Sequence, residues 1–111
     1  MLQRDLPQSG IENKMREVVI RDYLVEQVIL RDGLCELHIA PGQRGVPDCI
    51  VTWSCRHIDF VETKTLGGVL SSAQKRDHAR RLKRGIRVHV LWTKTQVDEY
   101  VRLHDHGIDR I

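Results

Sequence analysis

The chain has 111 residues, of which 41% are hydrophobic and 30% are charged, the proportions of a soluble globular protein with one core. No apolar run approaches the ~18 residues of a membrane span, and residues 1–7 lack the apolar core of a secretory signal. These features predict a cytoplasmic protein without a membrane partner, built as a short leader over residues 1–8 and a single domain over residues 9–111.

The three cysteines, Cys35, Cys49 and Cys55, include no Cys-x-x-Cys pair. Buried or partly buried thiols are therefore expected, rather than a zinc site or a disulfide framework.

The net charge of +3 is unevenly distributed along the chain. The segment Ser71–Arg87 holds seven bases and one acid, Asp77, so it carries +6 while the remainder carries −3. A solvated helix face would explain such a segment. A nucleic-acid contact is the interpretation we favour, because the segment follows a candidate site for phosphate chemistry.

The first predicted element is a long helix that ends near Leu30, where Asp32-Gly33 suits a C-cap. Ser9 and Glu12 have the spacing of a capping box, which places the helix start at Ser9. Two apolar rows predict a broad buried face. The first row contains Ile11, Met15, Val18, Val25 and Ile29, and the second contains Ile20, Leu24 and Val28.

Three strands are predicted next, over residues 34–40, 49–53 and 57–64. The three-residue link between the second and third strands predicts an antiparallel hairpin. A basic helix capped by Ser71 or Ser72 and ended by Gly85 comes next, followed by a strand over 86–92 and a helix over 95–106. The helical crossover predicts that the third and fourth strands run parallel, in a mixed four-stranded sheet flanked by helices.

The chemistry-bearing motif is Gly45-Val46-Pro47-Asp48, followed after thirteen residues by Glu62-Thr63-Lys64. Taken separately, these segments fit a turn and a strand that runs into solvent. Taken together, they place two carboxylates and one ammonium at neighbouring strand ends. Carboxylates are ligands for Mg²⁺ or Mn²⁺, and an ammonium can position a water against a phosphodiester. The motif therefore predicts a metal-dependent nuclease.

A third acid is expected because two carboxylates leave a metal under-coordinated. Glu17 extends the buried row of Ile20, Leu24 and Val28, where a glutamate is costly unless it is paired or metal-bound. Asp22 and Glu26 are the alternatives.

Gln74 allows two interpretations. Ser71-x-x-Gln74 is itself a capping box, and a glutamine in the first helical turn can also contact a phosphate or Lys64.

Together these residues resemble the VRR-NUC family (virus-type replication-repair nucleases) of the PD-(D/E)XK superfamily. The resemblance covers residues from about 12 to 92. It implies a restriction-endonuclease-like αβββαβα core, metal ligation by Glu17, Asp48, Glu62 and the Thr63 carbonyl, a catalytic Lys64 and a supporting Gln74. Short members of the family imply a homodimer that acts on branched DNA such as four-way (Holliday) junctions.

The predicted DNA contacts are six bases: Arg44, Lys75, Arg76, Arg80, Lys83 and Arg84. Two other functions stay open, a non-catalytic basic DNA-binding module and a restriction-type nuclease that cuts by sequence.

The remaining histidines and the tryptophans suggest no further site. His104-Asp105-His106 is expected to be a flexible tail rather than a metal site, and the four earlier histidines have no recognisable ligand spacing. Trp53 and Trp92 are expected to pack rather than to stack on bases.

Overall fold

A computed structural model describes residues 5–54 and 56–104, with side chains described from residue 16. The elements follow the order helix, three strands, helix, strand, helix. Their bounds are α1 Asp5–Leu30, β1 Leu34–Leu37, β2 Cys49–Trp53, β3 His57–Thr63, α2 Ser72–Leu82, β4 Val88–Leu91 and α3 Lys94–Arg102. This order confirms the predicted αβββαβα arrangement.

The four strands form one mixed sheet in the order β1-β2-β3-β4. β2 pairs antiparallel with β1 and with β3, whereas β3 and β4 are parallel. The predicted hairpin and the predicted crossover are both confirmed. The register puts Cys49 opposite Val61 and Thr63 beside Leu91, so the start of β2 and the end of β3 meet at one end of the sheet.

The two faces of the sheet carry different layers. On one face, α1 and α3 cover the hydrophobic core, which includes Leu24, Val28, Val51, Val61, Val97 and Val101. On the other face lies α2, whose Arg81 stacks on Phe60 and whose Gln74 contacts Glu62. Because side chains alternate along β3, Phe60 and Glu62 point toward α2 while Asp59 and Val61 point toward the core.

Helix α1 differs from the prediction at its start. It begins at Asp5, so the expected N-cap at Ser9 is wrong and residues 5–8 belong to the helix rather than to a leader. Pro7 is compatible with this start, because N–H groups in a first turn have no intrahelical acceptor. Residues 1–4 lie outside the described part of the chain.

The broad buried face predicted for α1 is too wide. Leu24 and Val28 are fully buried and Ile20 packs on the core, but Val18 is 39% exposed and Ile29 is 60% exposed. The second row therefore faces the sheet, while the first row extends past the area that the sheet and α3 cover. The side chains of Ile11 and Met15 lie outside the described residues.

The ends of the other elements follow local chemistry. β2 has the predicted bounds, while β1 and β4 are shorter than predicted because their flanking residues leave the ladder. Ser71 caps α2 as predicted, and Gly85 adopts a positive φ of 85° just beyond its end. Thr93 caps α3, which ends at Arg102 rather than His106.

Cys35 and Cys49 are free thiols, half-buried and buried, as expected, while Cys55 lies outside the described residues. Within the described residues, no helix combines the length and the apolarity needed to cross a membrane.

Gly45 fixes the loop before β2 against the start of α2. Its φ is +82°. A Cβ at this position would lie 2.3 Å from the backbone carbonyl oxygen of Ala73 and 2.7 Å from the backbone nitrogen of Gln74. The close neighbour of Gly45 is the first turn of α2. This contact brings the segment that carries Asp48 next to the helix that carries Gln74.

We expect Gly45→Ala to destabilise the protein more than Gly42→Ala. Both glycines have positive φ, so each alanine incurs a left-handed backbone cost of about 1–2 kcal/mol. Only Gly45 adds a clash, worth about 1–3 kcal/mol more, since nothing lies within 4 Å of a Cβ at Gly42. Thermal unfolding should show the larger loss of melting temperature for Gly45→Ala, and equal losses would contradict the contact with α2.

Candidate active site

Glu62 is a carboxylate buried at the end of β3, with 2% of its surface exposed. Its Oε2 accepts a hydrogen bond of 3.0 Å from the Gln74 side-chain amide. Its Oε1 is buried and has no hydrogen-bond partner among the described residues. A buried oxygen left without a donor is costly, so this atom indicates a missing proton or cation.

Asp48 is held beside the end of β3 by Thr63. Its Oδ2 accepts hydrogen bonds of 3.0 Å from both the backbone N–H and the hydroxyl of Thr63. The backbone carbonyl of Asp48 accepts a bond of 2.7 Å from His38 N–H, and Pro47 is buried behind it. Since the N–H and C=O of one strand residue point to the same side, the Thr63 carbonyl is expected on the Asp48 side of β3.

Glu17 lies half-buried on α1, at the end of the row that packs on the sheet. Its negative charge acts on Glu62 and raises the pKa of that carboxyl group. The alternatives are less well placed, because the Asp22 side chain is 70% exposed beside Arg21 and Glu26 is exposed. Among the three candidates, Glu17 is therefore the one whose charge reaches the site.

Burial, together with the charges of Asp48 and Glu17, raises the pKa of Glu62 from 4.5 to about 8. The ammonium of Lys64 opposes this shift, which shows that Lys64 lies within electrostatic reach of the same carboxyl group. Lys64 is half-buried, and its backbone N–H donates to the Leu91 carbonyl at 2.9 Å. Three carboxylates and one ammonium thus meet where the sequence motif predicted two carboxylates and one ammonium.

Gln74 forms the predicted capping box, and its other side-chain contact is with Glu62 instead of the Lys64 contact that the sequence allowed. Its side-chain oxygen accepts from Ser71 N–H at 2.8 Å, and its own N–H donates to the Ser71 hydroxyl at 3.1 Å, which completes the capping box. The nitrogen of the same side-chain amide donates a hydrogen bond to Oε2 of Glu62. The cap therefore fixes the glutamine in the orientation that holds Glu62.

A basic groove runs beside this site, between the loop that contains Arg44 and the first turns of α2. Arg44, Arg76 and Arg80 line a depression of about 400 Å³. An adjoining depression of about 500 Å³ is lined by Arg44 and Arg76 and reaches Gln74. Three of the six predicted DNA contacts are therefore adjacent to the carboxylates.

The other bases of the segment have different surroundings. Lys75 on α2, and Lys83 and Arg84 just beyond its end, are exposed but line neither depression. Buried Asp77 pairs with Arg80 at 2.6 Å and with Arg81 at 2.7 Å. Asp77 therefore balances one of the seven positive charges within the helix, which leaves the net charge of +6.

Sequence analysis missed a polar cluster around Asp59, on the core face of β3. Burial alone would raise the pKa of Asp59, but hydrogen bonds from His89 and Tyr100 outweigh it and leave the pKa below its usual range. The sequence contains one signal for this cluster. Asp59 lies two residues before Val61 on β3, so its charged side chain points to the same buried face as Val61. Trp53 donates to Asp59, so it packs as predicted, and the half-buried Trp92 anchors Gly68.

We expect the metal-free protein to lose stability as the pH rises from about 4.5 toward about 8. Glu62 has a folded-state pKa above its unfolded value, so its protonated form is favoured in the fold and its ionisation costs stability across this window. The loss should be on the order of a few kcal/mol. Thermal unfolding in a chelator at several pH values should show it.

Glu62→Gln should remove this pH-dependent loss of stability. Glu36→Gln, which changes an exposed acid on β1, is the control and should show the same loss as the wild-type protein. His78 and His104, whose pKa values burial lowers, contribute equally to all three proteins, so the comparison isolates Glu62. An identical pH profile for wild type and Glu62→Gln would refute the assignment.

Known proteins share this fold and much of this sequence. A scan against models of protein families returns no match. The chain is 39% identical over 77 residues to a protein named "Putative nuclease p44" of Acyrthosiphon pisum secondary endosymbiont phage 1, a match that spans 69% of this chain and 83% of that protein. It also superposes on a solved structure described as a VRR_NUC domain with a TM-score of 0.73 and 31% identity, covering 78% of this chain and 95% of the other. The chain belongs to the VRR-NUC family of nucleases.

Proposed function

We propose that the chain is a metal-dependent endodeoxyribonuclease that hydrolyses phosphodiester bonds with Mg²⁺ or Mn²⁺. The observation that carries this proposal is the buried Glu62, whose unpartnered Oε1 lies in a site that Asp48 and Glu17 make more negative. A structural ion pair would explain a buried glutamate only with a basic partner at hydrogen-bond distance. Glu62 has instead a neutral amide partner.

The donor set fits a hard divalent cation. Glu17, Asp48, Glu62 and the Thr63 carbonyl supply oxygen atoms, which Mg²⁺ and Mn²⁺ prefer. When bound, such an ion neutralises the charge that develops on the phosphate and lowers the pKa of an attached water. Asp48 suits this role because Thr63 holds Oδ2 in place and leaves Oδ1 for another partner.

The remaining site residues act on the water and on the phosphate. The Lys64 ammonium orients the attacking water and stabilises the negative charge of the transition state. Gln74 holds the Glu62 carboxyl group while the first turn of α2 offers its N–H groups to a phosphate. These roles need fixed geometry, which the Ser71 cap and the Gly45 contact supply.

The basic groove would bind the DNA backbone. Arg44, Arg76 and Arg80 line a groove that leads to Gln74, where guanidinium groups can bind backbone phosphates. Lys75 on α2, and Lys83 and Arg84 just beyond its end, extend the positive surface. Binding by backbone charge accommodates DNA of different sequences, which favours recognition of shape over recognition of sequence.

A homodimer that acts on branched DNA is the assembly we propose. On α1, Ile29 and Leu30 are 60% and 70% exposed, and Leu34 on the adjacent edge strand β1 is 62% exposed. Val25, Ile29 and Leu30 line a mostly apolar depression of about 420 Å³, at which Asp22 and Glu26 also lie. A second copy of the chain would cover this surface, and a two-fold axis would direct two sites at two strands of a symmetric junction.

We expect labelled four-way junctions to be cleaved in Mg²⁺ or Mn²⁺ by the wild-type protein. Asp48→Asn and Lys64→Ala should each lower the rate about a hundredfold or more, because each removes a group that acts in the transition state. Glu99→Gln, an exposed acid on α3, is the matched control and should cleave normally. Unfolding temperatures of the variants confirm that the fold persists.

The outcomes separate the three functions. Full cleavage by Asp48→Asn protein would refute the proposed site. Salt-sensitive binding without cleavage under any divalent metal would indicate a DNA-binding module. Cut positions that follow sequence in linear duplexes and ignore branching would indicate a restriction-type enzyme.

We expect light scattering to report twice the 12.9 kDa mass of one chain. Ile29→Glu should shift the protein to the monomer, because it places a charge in the proposed apolar contact. Leu82→Glu is the control, since Leu82 is similarly exposed, at 56%, but lies on α2. A monomeric wild-type protein, or an unchanged mass for Ile29→Glu, would exclude this interface.

A further inference from the structure

Three imidazoles surround the buried carboxylate of Asp59, on the face of the sheet that α3 covers. His57 precedes it by two residues on β3, His89 comes from β4, and His104 follows the end of α3. Their Nε2 atoms lie 2.6, 3.5 and 3.2 Å from the Asp59 oxygens, respectively. Among residues 16–54 and 56–104, Asp59 is the acid that these contacts involve, so one carboxylate is shared by three rings.

Asp59 is offered more donors than it can accept. Besides the three imidazoles, the indole N–H of Trp53 donates to Oδ2 at 3.2 Å, and the Tyr100 hydroxyl donates to the same oxygen. A carboxylate has roughly four lone-pair positions, fewer than these five groups. The Trp53 N–H has a second acceptor, the Tyr100 oxygen at 3.2 Å. A neutral imidazole carries one N–H, so a ring protonated at Nδ1 presents its Nε2 lone pair to this cluster, as a metal ligand does.

We propose that His57, Asp59 and His104 form a metal site for a first-row transition-metal dication such as Zn²⁺, separate from the nuclease centre. The three ligand atoms lie within 4.8 Å of one another. Ligand atoms around a tetrahedral Zn²⁺ are roughly 3.4 Å apart, given bonds of about 2.0–2.2 Å. Small side-chain rotations would bring the three atoms to that spacing, and a water would complete the tetrahedron.

The surrounding residues hold these ligands as outer-shell groups do in known metal sites. The Trp53 ring stacks on His104, with centroids 4.2 Å apart and an interplanar angle of 11°. Tyr100 and Trp53 fix Oδ2 of Asp59, and His89 approaches Oδ1 from the neighbouring strand. The ligands come from β3 and from His104, two residues beyond α3, so a bound ion would tie the end of α3 to the sheet.

The two sites differ in position and in ligand chemistry. Asp59 points toward α3, whereas Glu62 points toward α2 on the other face of the sheet. The Asp59 site offers two nitrogens and one oxygen, which suit Zn²⁺ or Co²⁺, while the Glu62 site offers oxygens, which suit Mg²⁺. The inference therefore stands whether or not the chain cleaves DNA.

The test uses full-length protein that has no histidine tag and has been stripped of metal. The protein carries Glu62→Gln, which disables the proposed nuclease metal site, so that this site does not contribute to the binding measured. Equilibrium dialysis should show one Zn²⁺ bound per chain, and Co²⁺ should give the visible absorption of a four-coordinate ion. His57→Gln and His104→Gln, each added to this background, should weaken Zn²⁺ binding about a hundredfold or more. His78→Gln, which alters a histidine on α2, is the control and should bind normally.

Thermal unfolding adds a second readout. Zn²⁺ should raise the unfolding temperature of the Glu62→Gln protein, and Mg²⁺ at the same concentration should not. The His57 side chain is 52% exposed, so its substitution leaves the core intact and keeps the test decisive. Absence of Zn²⁺ binding in the Glu62→Gln protein, or equal affinity after His57→Gln and His104→Gln, would overturn the proposal.

Discussion

The burial of Glu62 between two other carboxylates is the constraint on which the account of this protein depends. A carboxyl group with 2% exposure, one unpartnered oxygen and acidic neighbours is costly in a folded chain. It persists where a proton or a cation compensates it, and a pKa of about 8 means that the metal-free carboxyl group holds its proton at neutral pH. Under the proposed function a metal ion replaces this proton, and such perturbed carboxyl groups are common at active sites.

Much of the fold serves to keep that arrangement in place. Gly45 lets the loop before β2 touch the backbone of α2, which puts Asp48 and Gln74 on adjoining surfaces. The Ser71 cap then orients Gln74 toward Glu62. Since the same first turns of α2 carry Arg76 and Arg80, the helix that organises the carboxylates also builds the basic groove. The carboxylates and the basic groove are thereby coupled through one short helix.

Apart from the start of α1, the sequence predicted what depends on local pattern and failed where distant segments decide. The alternation of β2 and the capping box of α2 are local, so their boundaries agree with the structure. The two apolar rows of α1 look alike in the sequence, and only the packing of α3 and the sheet decides that Leu24 is buried while Ile29 is exposed. Likewise, Glu17 could be singled out because it extends a buried row. His57, His89 and His104 could not be grouped, because three different elements bring them to Asp59.

Proton release on binding Mn²⁺ tests the central claim most directly, because the ion and the Glu62 proton compete for one site. Titration calorimetry near pH 7, repeated in buffers of different ionisation enthalpy, measures the protons released per ion bound. The account predicts close to one proton released by the wild-type protein and none by Glu62→Gln, which should also bind Mn²⁺ more weakly. Tight Mn²⁺ binding without proton release, or with equal release from both proteins, would contradict it.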